Sequence, residues 1–177
     1  GGGLTANNGN YTFVQAAANS TALTISPAPL NVIATKVYDG SNSFATGLTV
    51  VGTTFNADAM PTVTGGAATV ASPNANNYSS FTTNTLTLSN GNYTLIGGTV
   101  TASITAKPLT VSADAQSMTY GSNALPSLTY TSAGLINGDA FSGALSTTAT
   151  AYNGTAGSGS NAGTFGIVQG TLSAGSN

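Results

Sequence analysis

The sequence predicts an all-β protein, built as tandem β-sandwich modules of about 80 residues in a repeat array. Three observations carry this. Apolar residues recur two apart along most of the chain, turn-forming dipeptides separate these runs, and one five-residue string occurs twice with its surroundings. Alternation puts every second side chain on one face of an extended strand, which is the pattern of a half-buried sheet.

The repeated string sets the module length. Asn8-Gly9-Asn10-Tyr11-Thr12 returns as Asn90-Gly91-Asn92-Tyr93-Thr94, 82 residues on (90 − 8 = 82). Each copy is followed by an apolar strand end and proline, Ile25-Ser26-Pro27-Ala28-Pro29-Leu30-Asn31-Val32 and Ile104-Thr105-Ala106-Lys107-Pro108-Leu109-Thr110-Val111. A partial third copy, Thr171 to Asn177, matches Thr87 to Asn92 with one residue inserted. A period this long describes whole small domains in series, not solenoid rungs.

In chain order, the strand signals are Tyr11/Phe13, Leu23/Ile25, Leu30/Val32, Leu48/Val50, Leu86/Leu88, Tyr93/Leu95, Val100/Ala102/Ile104, Leu109/Val111 and Leu128/Tyr130. Asn8-Gly9, Asp39-Gly40, Asn90-Gly91, Asn137-Gly138 and Asn153-Gly154 are the dipeptides of type I′ hairpin turns, which implies antiparallel neighbours. A parallel β-helix would need a period of roughly 20 to 30 residues, and none is present. No stretch shows apolar residues at three and four spacing with charged partners, the Ala-rich Gln15 to Ala18 offers a turn at most, and β-branched Thr and Val compete with helix. The prolines of the Ser26 to Pro29 and Thr105 to Pro108 segments mark where one module hands over to the next.

Composition excludes several functions. The chain has no His, Cys, Trp, Glu or Arg, and apart from tyrosine its ionisable side chains are Lys36, Lys107, Asp39, Asp58, Asp114 and Asp139. Acid–base and nucleophilic catalysis draw mainly on the missing types, so no catalytic residue, cofactor or metal site is assigned and the chain reads as a non-enzyme. Two lysines are too few for nucleic acid. No apolar run reaches the ~20 residues of a membrane helix, so membrane insertion is not expected. Without cysteine there is neither a disulfide nor a thiolate zinc site. Only 3% of residues are charged, so Thr, Ser, Asn and Gly must supply a neutral polar surface.

The residues singled out are structural. Tyr38-Asp39-Gly40 and Tyr120-Gly121 read as turns, with aspartate accepting local amide bonds, glycine taking the positive φ and the tyrosines packing into the module interior. An isopeptide bond from Lys36 or Lys107 to an asparagine would need an adjacent buried carboxylic acid, and Asp39 lies too near Lys36 in sequence to serve. Asn137-Gly138-Asp139 offers one carboxylate, too few for calcium. Asn10, Asn19, Asn77, Asn92 and Asn153 head Asn-X-Ser/Thr strings, the acceptor pattern for N-glycosylation.

Ala34-Thr35-Lys36-Val37-Tyr38-Asp39-Gly40-Ser41-Asn42, led in by Pro29-Leu30-Asn31-Val32, resembles the signature of the YDG domain. Ala106-Lys107-Pro108-Leu109-Thr110-Val111, Met118-Thr119-Tyr120-Gly121, Leu128-Thr129-Tyr130, Gly134 to Asp139 and Gly170-Thr171-Leu172 resemble the MBG domain, a mostly bacterial Ig-like module. The two resemblances cover about residues 27 to 177. Gly121-Ser122-Asn123-Ala124 lacks the charge usual after the MBG Tyr-Gly turn, and the family's Tyr-Thr-Leu strand is not reached by Asn177. The resemblance implies Ig-like modules of a large exported adhesin of the filamentous-haemagglutinin type, at the bacterial cell surface or outside the cell, having crossed the outer membrane.

The resulting expectation is three segments: residues 1–26 as terminal strands of a preceding module, 27–106 as a YDG-like sandwich, and 107–177 as an MBG-like sandwich lacking its last strand or strands. The chain, opening on Gly1-Gly2-Gly3, reads as part of something longer. Its role would be to extend a fibre and to adhere to a host or neighbouring cell or a glycan. Its partners would be adjacent repeats or identical subunits end to end, through strand complementation. A carbohydrate-binding module is the alternative, signalled by an exposed tyrosine in a shallow groove flanked by Asn or Asp. Ice or mineral binding would need flat ranks of outward threonine, more than Thr85-Leu86-Thr87 and Thr99-Val100-Thr101 supply.

Overall fold

A computed structural model describes Asn10, Val14, residues 23–136 and residues 138–175. Tyr11, Phe13, Asn19, the Asn8-Gly9 turn and Asn137 lie outside the described residues. Among those described, all regular structure is β. The strands are β1 (Ala28–Pro29), β2 (Asn31–Val37), β3 (Ser43–Phe44), β4 (Leu48–Val51), β5 (Val63–Gly65), β6 (Ala68–Thr69), β7 (Asn76–Tyr78), β8 (Thr83–Asn84), β9 (Thr87–Leu88), β10 (Tyr93–Thr94), β11 (Val100–Thr105), β12 (Thr110–Ala113), β13 (Tyr130–Ala133), β14 (Ser146–Thr147) and β15 (Ile167–Val168).

The pairings fall into two sets. In the first, residues 28–105, a four-stranded sheet runs β4-β2-β11-β7, a three-stranded one runs β3-β6-β8, and β1-β10 and β5-β9 are pairs. In the second, residues 110–173, β12 pairs with β13 and β14 with β15, and a bridge joins Ser142 to Ser173. The alternation in β2 works as its sequence implies. Val32 and Ala34 are buried while Ile33 and Thr35 face out, and burying one such aliphatic side chain contributes about 1.5–3 kcal/mol. Leu30, Val32, Val50, Tyr93 and Leu95 form one core cluster, and Ala34, Phe44, Val70, Ala102 and Ile104 form another. Leu48, Phe81 and Val100 touch both, so the two form one interior.

Two expectations are corrected. The central partner of β2 is not antiparallel: β11 lies beside it in parallel, Val100 against Val32 through Thr105 against Val37. A parallel partner returns by a long crossover, here residues 38–99, so adjacent turns could not disclose it. The Asp39-Gly40, Asn90-Gly91 and Asn153-Gly154 dipeptides are also not type I′ turns. That type needs positive φ at both central residues, and only Asn56 and Ala57 among described non-glycine residues have it. Instead each side chain accepts the amide two residues on: Asp39 Oδ1 from Ser41 at 2.9 Å, Asn90 Oδ1 from Asn92 at 3.0 Å and Asn153 Oδ1 from Thr155 at 3.0 Å. The Asx turns at Asp39 and Asn90 reverse the chain without joining paired strands, whereas Asn153 lies in the connection between the antiparallel neighbours β14 and β15.

Candidate functional site

The Tyr38-Asp39-Gly40 turn is organised by a lysine just ahead of it. Lys36 Nζ donates to Asp39 Oδ1 at 2.7 Å, to the Ser41 carbonyl at 2.6 Å and to the Ser43 carbonyl at 3.0 Å, and sits 5.2 Å from the Phe44 ring centroid. Those three bonds use every proton of the ammonium group. The Lys36 side chain is 13% exposed and that of Asp39 54%, so its stem is packed while the ion pair faces water. The Lys36 bond, then the Ser41 amide, holds the Asp39 carboxyl below its ordinary value.

The same turn reaches the second strand set. Tyr38, half-buried against the second core cluster, donates its hydroxyl to Asp139 Oδ1 at 3.1 Å. Gly40 has φ +79°, and a Cβ there would lie 3.1 Å from Ile136 Cγ2. The sequence pairs neither contact, because 101 residues separate Tyr38 from Asp139.

Tyr120 and Gly121 stand at the centre of a turn closed by the Ser122 amide on the Thr119 carbonyl at 3.0 Å, with Gly121 at φ +84°. The expectation that Tyr120 packs inside is overturned, since it is 71% exposed. It rims a groove of about 460 Å³ lined by Gln116, Met118, Leu128, Asn161 and Phe165 among others. A second groove, also about 460 Å³, lies under β12 between Leu109, Val111, Phe141, Leu145 and Leu172.

Sequence reasoning missed one polar cluster. The Tyr93 hydroxyl donates to Asp58 Oδ2 at 2.9 Å and accepts the Phe55 amide at 2.8 Å, and Asn90 Nδ2 donates to the same Asp58 oxygen at 3.4 Å. The Phe55 amide favours the phenolate, but burial and the Asp58 carboxylate outweigh it and hold the phenol above its ordinary 10.0. The signal was the repeated Asn-Gly-Asn-Tyr-Thr string, whose asparagine and tyrosine both serve this cluster. Of the sequon asparagines, Asn10, Asn77, Asn92 and Asn153 are exposed. Among the described residues no three His, Cys, Asp or Glu side chains gather as metal ligands.

Residues 109–177 match the family model of the MBG domain, YGX type. The MBG segment contains the Tyr120-Gly121-Ser122 turn and both grooves' apolar linings. No curated protein and no solved structure matches the chain significantly.

Proposed function

We propose that the chain is a non-enzymatic structural and adhesive part of a large secreted bacterial surface or fibre protein, in which a YDG-type module, residues 27–106, precedes the MBG segment. The observation that carries this reading is the MBG match, in a family of bacterial surface modules. The chemistry of the chain supports it. Lys36 and Asp39 fix a turn, Asp58 orders Tyr93, and Asp139 receives Tyr38, so these charges are engaged in structural contacts. The exposed neutral residues suit a fibre that meets water, glycan or a host or neighbouring cell, and adjacent modules or identical subunits are its end-to-end partners. Antibody raised against the chain is expected to label the outside of intact producing cells and to block their attachment. Labelling only after permeabilisation would refute the extracellular reading, and labelling without any effect on attachment would leave a stalk with no adhesive part.

One observation favours a second reading, glycan binding. Tyr120 and Phe165 offer aromatic faces, and Gln116 and Asn161 offer amides, around one groove of about 460 Å³. That volume is in the range of small-ligand sites, and stacking plus amide bonds suits a sugar's two kinds of surface. Titration calorimetry with a panel of oligosaccharides decides it. Binding that disappears in Tyr120→Ala supports this reading, and absence of heat with every sugar removes it.

A further inference from the structure

Two loops of the chain share one build. Each follows the antiparallel partner of the strand that leads its set, β4 beside β2 and β13 beside β12. Each opens on a glycine of positive φ set against the entry to that leading strand, Gly52 (φ +142°) against Leu30 and Gly134 (φ +105°) against Pro108 and Leu109. Each then closes a four-residue turn, the Asp58 amide donating to the Phe55 carbonyl at 2.9 Å and the Asp139 amide to the Ile136 carbonyl at 3.0 Å. The turn residues correspond one for one, Phe55-Asn56-Ala57-Asp58 and Ile136-Asn137-Gly138-Asp139, 81 residues apart (136 − 55 = 81).

In the second set this loop is occupied by the Tyr38-Asp39-Gly40 turn of the first. Tyr38 donates to Asp139 Oδ1 at 3.1 Å, and Gly40 lies so close to Ile136 that a Cβ there would stand 3.1 Å from its Cγ2. A bare glycine is what admits the isoleucine. The crevice left between them, lined by Tyr38, Leu109, Ile136 and Asp139 among others, holds only about 80 Å³.

The loop of the first set is held ready in the same form. Asn56 and Ala57 stand at φ +54° and +61°, and a left-handed alanine persists only where its surroundings fix it. Here Thr54 Oγ1 donates to the Asp58 carbonyl at 2.8 Å and the Tyr93 hydroxyl accepts the Phe55 amide at 2.8 Å. Tyr93 and Asn90 both use Oδ2 of Asp58. Phe55, in the place of half-buried Ile136, is 57% exposed.

We propose that Phe55-Asn56-Ala57-Asp58 is a docking loop for the Tyr-Asp-Gly turn of a preceding module of this type, and that Tyr38 and Gly40 on Asp139 and Ile136 form the same joint one module on. The incoming glycine lies on the Phe55 ring, and the incoming tyrosine hydroxyl donates to Asp58 Oδ1. An apolar contact fixes the spacing of the two modules and a directed hydrogen bond fixes their rotation, so each joint is stiff. This names the joint of the end-to-end arrangement and rests on the fibre reading for its setting.

Spin-label distances test it, in a chain with no native cysteine to interfere. Nitroxides on Ser80→Cys and Thr148→Cys, both exposed and in different strand sets, are read by pulsed electron double resonance. The otherwise unaltered chain is expected to give one narrow distance peak. Tyr38→Phe, which keeps the ring and removes the donor, and Asp139→Ala should each lose that peak to a broad distribution. Asp139→Asn, which keeps an acceptor oxygen, should retain it. A broad distribution in the unaltered chain, or a peak as narrow in Asp139→Ala as in Asp139→Asn, overturns the joint. The docking loop is read by inserting residues 27–105 once more after Thr105, in register because Thr105 corresponds to Ser26 (105 − 26 = 79). Labels at Ser80 of both copies should give a narrow peak, lost on Tyr38→Phe in the leading copy or Phe55→Ser in the following one. Phe55→Ser in the 177-residue chain should leave the Ser80 to Thr148 peak as it was. A broad Ser80 to Ser80 distribution, or a narrow one indifferent to both substitutions, overturns docking at Phe55. Narrow peaks without antibody labelling of intact cells would count against the fibre reading alone. Labelled cells with broad distributions would count against the joint alone.

Discussion

Lys36 shows how one charge is used in a chain that has few. Its ammonium closes the loop after β2 by binding two carbonyls and one carboxylate. Lys36→Met should lower unfolding stability by about 1–2 kcal/mol, measured by urea titration. Nearly all of this comes from the two carbonyls, because the Asp39 carboxylate is more than half exposed and its ion pair is screened. Asp39 is held below its ordinary value of 3.8, so its small contribution is complete above that value and is lost as pH falls through the lower folded value. Tyr93 works in the opposite sense. Its folded value is raised above 10.0, so its contribution is complete below pH 10.0 and disappears as pH climbs through the raised value. Stability measured against alkaline pH should therefore fall more steeply in the parent than in Tyr93→Phe. Tyr38→Ala and Tyr120→Ala separate the two Tyr-Gly-type turns. The first loses packing and the Asp139 bond, while Tyr120→Ala should alter stability by less than about 0.5 kcal/mol, since most of its side chain faces water.

At the scale of elements, period-two spacing identified the β2, β4, β11 and β12 regions correctly, because each presents one face to an interior and the other to water. Strand partners were less legible. The Asp39-Gly40 and Asn90-Gly91 strings spell a hairpin in local φ preference, but a side-chain oxygen can satisfy the turn amide itself, and then the following strand is free to pair elsewhere. The parallel β2–β11 pair depends on residues 68 apart (100 − 32 = 68), and its evidence lies in shape instead of spacing. Gly98, just before β11, is such a point: a Cβ there would fall 1.9 Å from the Leu30 carbonyl oxygen. Gly98→Ala must push β11 away from the chain leading into β2. It should cost about 1–3 kcal/mol, readable as a lowered urea midpoint with the slope unchanged. An unaltered midpoint would mean that this close approach does not hold the sheet.

For the whole molecule, the two strand sets differ in how much they enclose. Residues 28–105 contain both core clusters, whereas Leu172 is the one buried large apolar residue described beyond Ile104. The all-β class and the MBG resemblance were readable because both rest on local strings. The exposure of Tyr120, Leu23 and Ile25 was not readable from local strings, since burial is set by which distant strand, if any, covers a side chain. The account turns on β2 and β11 forming the parallel centre of a closed interior, in contrast to β12, whose Leu109 and Val111 line an open groove. Amide hydrogen exchange followed by mass spectrometry measures this directly. Slow exchange is predicted throughout β2 and β11, and faster exchange in β12. Exchange in β12 as slow as in β2, or faster in β2 than in β12, would contradict the account.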